Sequence, residues 1–139
     1  MRINVIYMLA RNKILLLLLL FFPMLLIVQS CGKSPNGAII YCKEQVFDYG
    51  KIKQGSNGEH IFTITNKGNA PLTINKVASS CSCTTISWSK DNINPKGQGQ
   101  IKIKYNTNKI GEFYKTVVVK SNAVNKKNYV IEIKGEVVE

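Results

Sequence analysis

The chain has 139 residues, 19 of them Lys or Arg against 8 Asp or Glu, for a formal net charge of +11. Taking Arg2, Arg11 and Lys13 from the 19 leaves sixteen lysines and no arginine after Cys31; this argues against a nucleic-acid partner, because lysine lacks the planar fork that grips phosphate and guanine. One histidine, eight acids, no nucleophile elbow and no glycine-rich phosphate loop argue equally against a conventional enzyme.

The first thirty residues stand apart. Arg2, Arg11 and Lys13 precede an apolar run over residues 14–28, and Gln29-Ser30-Cys31 follows. A basic start, a short apolar run and a small residue before a cut predict a secretory signal peptide over residues 1–30. The run of 15 residues falls short of the roughly 18–20 that a spanning helix needs, and Pro23 interrupts it, so an uncleaved helical anchor is the weaker alternative. The segment LLIVQSC resembles the lipobox of bacterial lipoproteins. That resemblance implies that Cys31 is acylated, becomes the mature N-terminus and holds the protein to a lipid bilayer of the cell envelope, on the periplasmic side or at the surface. Each buried methylene contributes about 0.8 kcal/mol, and stable anchoring needs more than one chain. Residues 31–37 are small, polar and turn-rich, a short lipidated tether, and residues 38–139 form the domain.

Within the domain, residues 38–42 (AIIYC) and 45–50 (QVFDYG) read as a lead-in and a first strand, with Gly50 and Gly55 bracketing the turn after it. EHIFTITN sets Phe62 and Ile64 on one face and Thr63 and Thr65 on the other, and starts with His60 at the rim. TNKGNAPL reads as a hairpin-type connection in which Gly68 takes a positive φ and Pro71 opens the next strand, with Leu72 and Ile74 inward. CTTISWS puts Ile86 and Trp88 on one side, Trp88 in the core. Pro95 and Gly97 make a tight turn before QIKIKY, where Ile101, Ile103 and Tyr105 alternate with Lys102 and Lys104 as a half-buried strand requires. FYKTVVVKS follows Gly111, and NYVIEIKGEVV closes the chain with Tyr129, Ile131 and Ile133 toward the core. About seven strands, no helical period and regular turn residues predict an all-β, immunoglobulin-like sandwich.

Four segments, FDYGKIKQG, HIFTITNKGNAPLTINKVASSCSCTT, INPKGQGQIKIKYNTNKIGEFYKTVVVKSN and IKGEV, together resemble the domain-of-unknown-function 1573 family, over residues 46–138. The resemblance implies a Hydin-like or major-sperm-protein-like immunoglobulin domain, often found in lipid-anchored or secreted bacterial proteins. It implies little about activity, since a fold does not fix a function.

The one concentration of chemistry after Cys31 is Cys81-Ser82-Cys83. On a regular strand, residues two apart share a face at about 7 Å, so a direct bond would demand a bent backbone and would be strained and easily reduced. Two thiolates on one face could instead hold a soft ion such as copper(I). Further ligands are scarce, because the last methionine is Met24 and only Cys42 and His60 remain as sulfur or imidazole donors. With Cys31 acylated three cysteines are left, so a Cys42–Cys81 or Cys42–Cys83 bridge stays open and one disulfide leaves a free thiol. The plainest expectation is small buried residues, reduced and metal-free, or one structural bridge. The sequence thus points to a lipid-anchored, non-enzymatic binding or structural module with a protein partner in the envelope, and, as the alternative, to thiol-redox or copper handling by Cys81 and Cys83. It implies no cofactor and assigns no metal. Its lysine excess suits loose attraction to an anionic membrane surface.

Overall fold

Alternation of apolar and polar residues organises residues 36–139, the part of the chain that the computed structural model describes. The expected signal peptide, Cys31 and most of the expected tether lie outside the described residues. Eight strands form: β1 (Ile40–Cys42), β2 (Val46–Lys53), β3 (Glu59–Asn66), β4 (Ile74–Ser79), β5 (Thr84–Trp88), β6 (Gln98–Tyr105), β7 (Gly111–Ser121) and β8 (Asn128–Val138). They make two four-stranded sheets, ordered β1-β3-β6-β5 and β2-β8-β7-β4. Every pairing is antiparallel except β2 with β8, which is parallel. The immunoglobulin-like sandwich stands, with one strand more than expected, because the lead-in at residues 40–42 pairs with β3 as β1.

The inner faces supply the core. Phe62, Ile64, Leu72, Ile101, Ile103, Val117, Val119, Ile131 and Ile133 are each at most 1% exposed. The register read from QIKIKY is therefore right, since Ile101, Ile103 and Tyr105 are buried while Lys102 and Lys104 are exposed. All strands and the whole core fall within Ser34–Glu139, a compact unit of its own, so this segment carries everything its fold needs.

Two turn assignments are corrected. The segment after β3 is no hairpin, because β3 and β4 belong to different sheets and β4 begins at Ile74, beyond Pro71. Gly68 is absent from the positive-φ glycines among the described residues; a Cβ there would lie 2.1 Å from the Gly37 carbonyl oxygen and 2.6 Å from the Ile39 nitrogen, so close backbone approach demands glycine. Gly50 lies inside β2 rather than in a turn, at φ 60, where the register against β8 shifts between Asp48 and Lys51 as a bulge.

β1 and β2 run in the same direction and are joined partway along the sandwich, and from the β2–β3 turn onward successive connections alternate between its two ends. The chain enters at one, the tether end, which gathers the β3–β4, β5–β6 and β7–β8 loops. There the Asn69 N–H donates to Gly37 O at 3.0 Å, the Val124 N–H to Ala38 O at 2.9 Å and the Thr73 N–H to Asn122 Oδ1 at 2.9 Å. Asn66, 0% exposed, is the hub. Its Oδ1 accepts from the Ile39 and Gly68 N–H groups at 3.2 and 2.9 Å, and its Nδ2 donates to Ala70 O and Ile93 O at 2.8 and 2.9 Å. The far end gathers the β2–β3, β4–β5 and β6–β7 turns. The Tyr105 N–H donates to Gly58 O at 2.9 Å, the Asn106 N–H to Cys83 O at 2.9 Å and the Thr107 hydroxyl to Ser56 O at 2.7 Å.

Candidate functional site

β4 leaves the second sheet at Ser79 and β5 joins the first at Thr84, so residues 80–83 must carry the chain from one sheet to the other. A crossing this short needs small residues and a sharp bend, which Ser80-Cys81-Ser82-Cys83 provides. Its flanks are pinned: the Ser80 N–H donates to Thr116 O at 2.9 Å, the Thr116 N–H to Ser80 Oγ at 3.3 Å, and Cys83 O receives the Asn106 N–H. The bend brings the Cys81 and Cys83 Cα atoms to 5.3 Å, and the two sulfurs are bonded to each other. The bent backbone that a direct bond demands is thus present. The pair occupies a turn, not a regular strand, and its Cα separation falls inside the usual disulfide range of about 4.4–6.8 Å. It also removes a Cys42–Cys81 or Cys42–Cys83 bridge, and the reduced pair, from this structure.

Both bonded cysteines are half-buried, Ser82 between them is exposed, and Cys83 packs against the core. Thr84 is buried beneath them, its Oγ1 3.6 Å from Cys81 Sγ and 3.9 Å from Cys83 Sγ. That hydroxyl is placed to donate to whichever sulfur becomes a thiolate when the bond opens. As a staple the bond is weak. Closing a loop of about three residues removes roughly 1.5 kcal/mol of chain entropy from the unfolded state, half the value of about 3 for a fifteen-residue loop. While bonded, the sulfurs offer no thiolate, so metal binding at the pair would have to follow reduction. No group of three or more His, Cys, Asp or Glu that could hold an ion occurs among the described residues.

The other sequence-picked residues lie elsewhere. Cys42 is a free thiol, 2% exposed, whose S–H donates to Glu44 O at 2.8 Å, and burial pushes its pKa up. His60 sits at the rim as expected, stacked on Phe47 at 3.4 Å and with Nε2 2.9 Å from Glu44 Oε2. Trp88 packs against the core but stays half-buried; its indole N–H donates to Ile74 O at 3.4 Å, and Lys90 Nζ lies 3.2 Å above its ring. Tyr49 donates its hydroxyl to Gly58 O at 2.7 Å, and burial, followed by the charge of Glu59, pushes its pKa up to about 12.

One cluster was not singled out from sequence. The three tether-end loops hold Lys67, Lys90, Lys96, Lys126 and Lys127, all exposed, against the single acid Asp91. The signal was present, since alternate connections of a sandwich share an end and, from β3 on, every second one bears lysine, five in all against Lys109 alone in the others.

Residues 40–137 match the family described as Protein of unknown function (DUF1573). No curated protein matches the chain. Among solved structures the chain is similar to a protein of unknown function from Porphyromonas gingivalis W83, with a TM-score of 0.65, 17% identity and coverage of 74% of this chain and 48% of that one. It is similar also to PapD-like domain 7 of human CEP192, with a TM-score of 0.60, 10% identity and coverage of 72% and 85%. A third is the VesB protease of Vibrio cholerae, at 0.60, 15% identity and coverage of 73% and 32%. The chain spans about half the length of the first and a third of the protease. Identities this low establish the fold alone.

Proposed function

The chain belongs to the family Protein of unknown function (DUF1573), and on that premise we propose that it is a lipid-anchored, non-enzymatic protein of the bacterial cell envelope whose sandwich is a binding or structural module for another envelope protein. Residues 1–30 are its signal peptide, acylated Cys31 holds it to the bilayer, and residues 31–37 tether the domain of residues 38–139. The observation that carries this reading is the succession, within a few residues, of a signal-type segment ending in Ser30-Cys31 and a self-sufficient fold whose first core residue is Ala38. In cells, Cys31→Ser should move the protein from the detergent to the aqueous phase and abolish labelling by a radioactive fatty acid. Undiminished membrane retention of that variant would contradict lipid anchoring.

The observed Cys81–Cys83 bond favours a second reading, thiol–disulfide exchange with a dithiol partner. A partner thiolate attacks one sulfur, forming a mixed disulfide and releasing the other cysteine as a thiolate beside Thr84. The partner's second thiolate then displaces the domain, leaving the partner oxidised by two electrons and the pair reduced. A copper(I)-handling role would use the reduced pair. Graded reduction followed by maleimide trapping and metal analysis tests both. Thiols at Cys81 and Cys83 that appear under mild reductant support exchange, and about one bound copper(I) per reduced chain supports metal handling. A pair that yields thiols only after unfolding contradicts both.

A further inference from the structure

We propose that the tether end of the sandwich is a docking surface for anionic phospholipid headgroups, which holds the domain upright with the Cys81–Cys83 turn away from the bilayer. The inference rests on the lipid-anchor reading for its biological setting, but its evidence is separate. Charge is polarised along the strands. The tether-end loops carry Lys67, Lys90, Lys96, Lys126 and Lys127 against Asp91, whereas the far-end turns and the last residue carry Lys109 against Glu139. None of the five lysines is consumed locally, because the four ion pairs among the described residues use Lys51, His60, Lys102 and Lys134. Three extend over aromatic rings, Lys67 at 3.4 Å from the Tyr41 centroid, Lys90 at 3.2 Å from that of Trp88 and Lys126 at 5.5 Å from that of Tyr129, which keeps the charge while ordering the stem. Among them Val124 is 54% exposed, and Pro71 and Pro95 are exposed too, apolar tips suited to the headgroup boundary.

Chain length selects a bilayer as the occupant. The chain enters the domain at this end, and the six residue steps from Cys31 to Gly37 span about 20 Å at most. Screening acts over about 8 Å at physiological salt, so an acylated Cys31 keeps the lysines within a few screening lengths of the headgroups. Each lysine held near an anionic surface strengthens binding by about fivefold.

The test uses Ser34–Glu139, which lacks the anchor, in co-sedimentation with vesicles of phosphatidylglycerol and phosphatidylcholine or of phosphatidylcholine alone. The domain should bind the anionic vesicles, release them in high salt and ignore the neutral ones. Lys96→Gln with Lys126→Gln and Lys127→Gln should weaken binding at least tenfold. Lys53→Gln with Lys104→Gln and Lys109→Gln, equal in net charge, should weaken it by less than about threefold. Unchanged circular dichroism keeps both variants interpretable, since all six lysines are exposed. Equal losses in the two variants would replace the docking end with diffuse net charge. No vesicle binding by the unmodified domain, including the case where it binds an acidic protein or polysaccharide instead, would overturn the proposal. If vesicle binding behaves as expected while Cys31→Ser leaves membrane retention unchanged in cells, only the lipid-anchor reading falls.

Discussion

The two ends of the sandwich are closed by turns of different length, six to nine residues at the tether end and four or five at the far end, and they are held by different chemistry. At the tether end a fully buried asparagine satisfies four groups from three segments, and exposed lysines surround it. At the far end a tyrosine hydroxyl, a threonine hydroxyl and a three-residue disulfide do the holding. The eight residues of β6 separate them by about 25 Å. The exposed lysines and the Cys81–Cys83 bond thus lie at opposite ends of one fold.

The largest effect should follow Asn66→Ala. Truncation strands the Ile39 and Gly68 N–H groups and the Ala70 carbonyl and takes from the Ile93 carbonyl one of its two partners, at a cost of about 3–5 kcal/mol by denaturant unfolding. A loss below about 1 kcal/mol would mean that the tether end does not depend on its hub. At the far end, Tyr49 keeps its proton up to about 12 against 10.0 for the ordinary phenol. The unfolded chain therefore ionises first. Its contribution is present in full below pH 10 and is lost as pH rises toward 12. Unfolding curves across that window should show falling stability for the native chain and a shallower fall for Tyr49→Phe; identical slopes would assign the alkaline loss to other groups. Replacing both Cys81 and Cys83 with serine should cost about 1.5 kcal/mol, since so short a loop saves little entropy. A cost above about 4 kcal/mol would make the bond a principal staple after all. Smallest is Lys126→Gln, within about 0.5 kcal/mol in stability despite its effect on vesicle binding.

Local pattern carried most of the fold. Ile101, Ile103, Tyr105, Tyr129, Ile131 and Ile133 could be placed inward because a period of two is written into neighbouring residues. What escaped depends on partners distant in sequence. Gly68 is fixed by the backbone at Gly37 and Ile39, Asn66 by three segments of chain, and the parallel pairing of β2 with β8 by residues over eighty positions away. The cysteine pair depends on distant partners too. The bend that a direct bond demands comes from β4 and β5 lying in different sheets, which no residue in the turn declares. The candidate site was legible as residues and not as geometry.

The separation of the two ends is tested most directly by amine footprinting of the protein in its own membranes, before and after detergent release. A water-soluble acylating reagent, read lysine by lysine in peptide masses, reports which end meets the bilayer. Lys67, Lys96, Lys126 and Lys127 should be protected in the membrane and exposed after release, while Lys53, Lys104 and Lys109 react equally in both states. Protection centred on Lys109 and Lys53, or spread evenly over all seven, would contradict a domain that stands on its tether end.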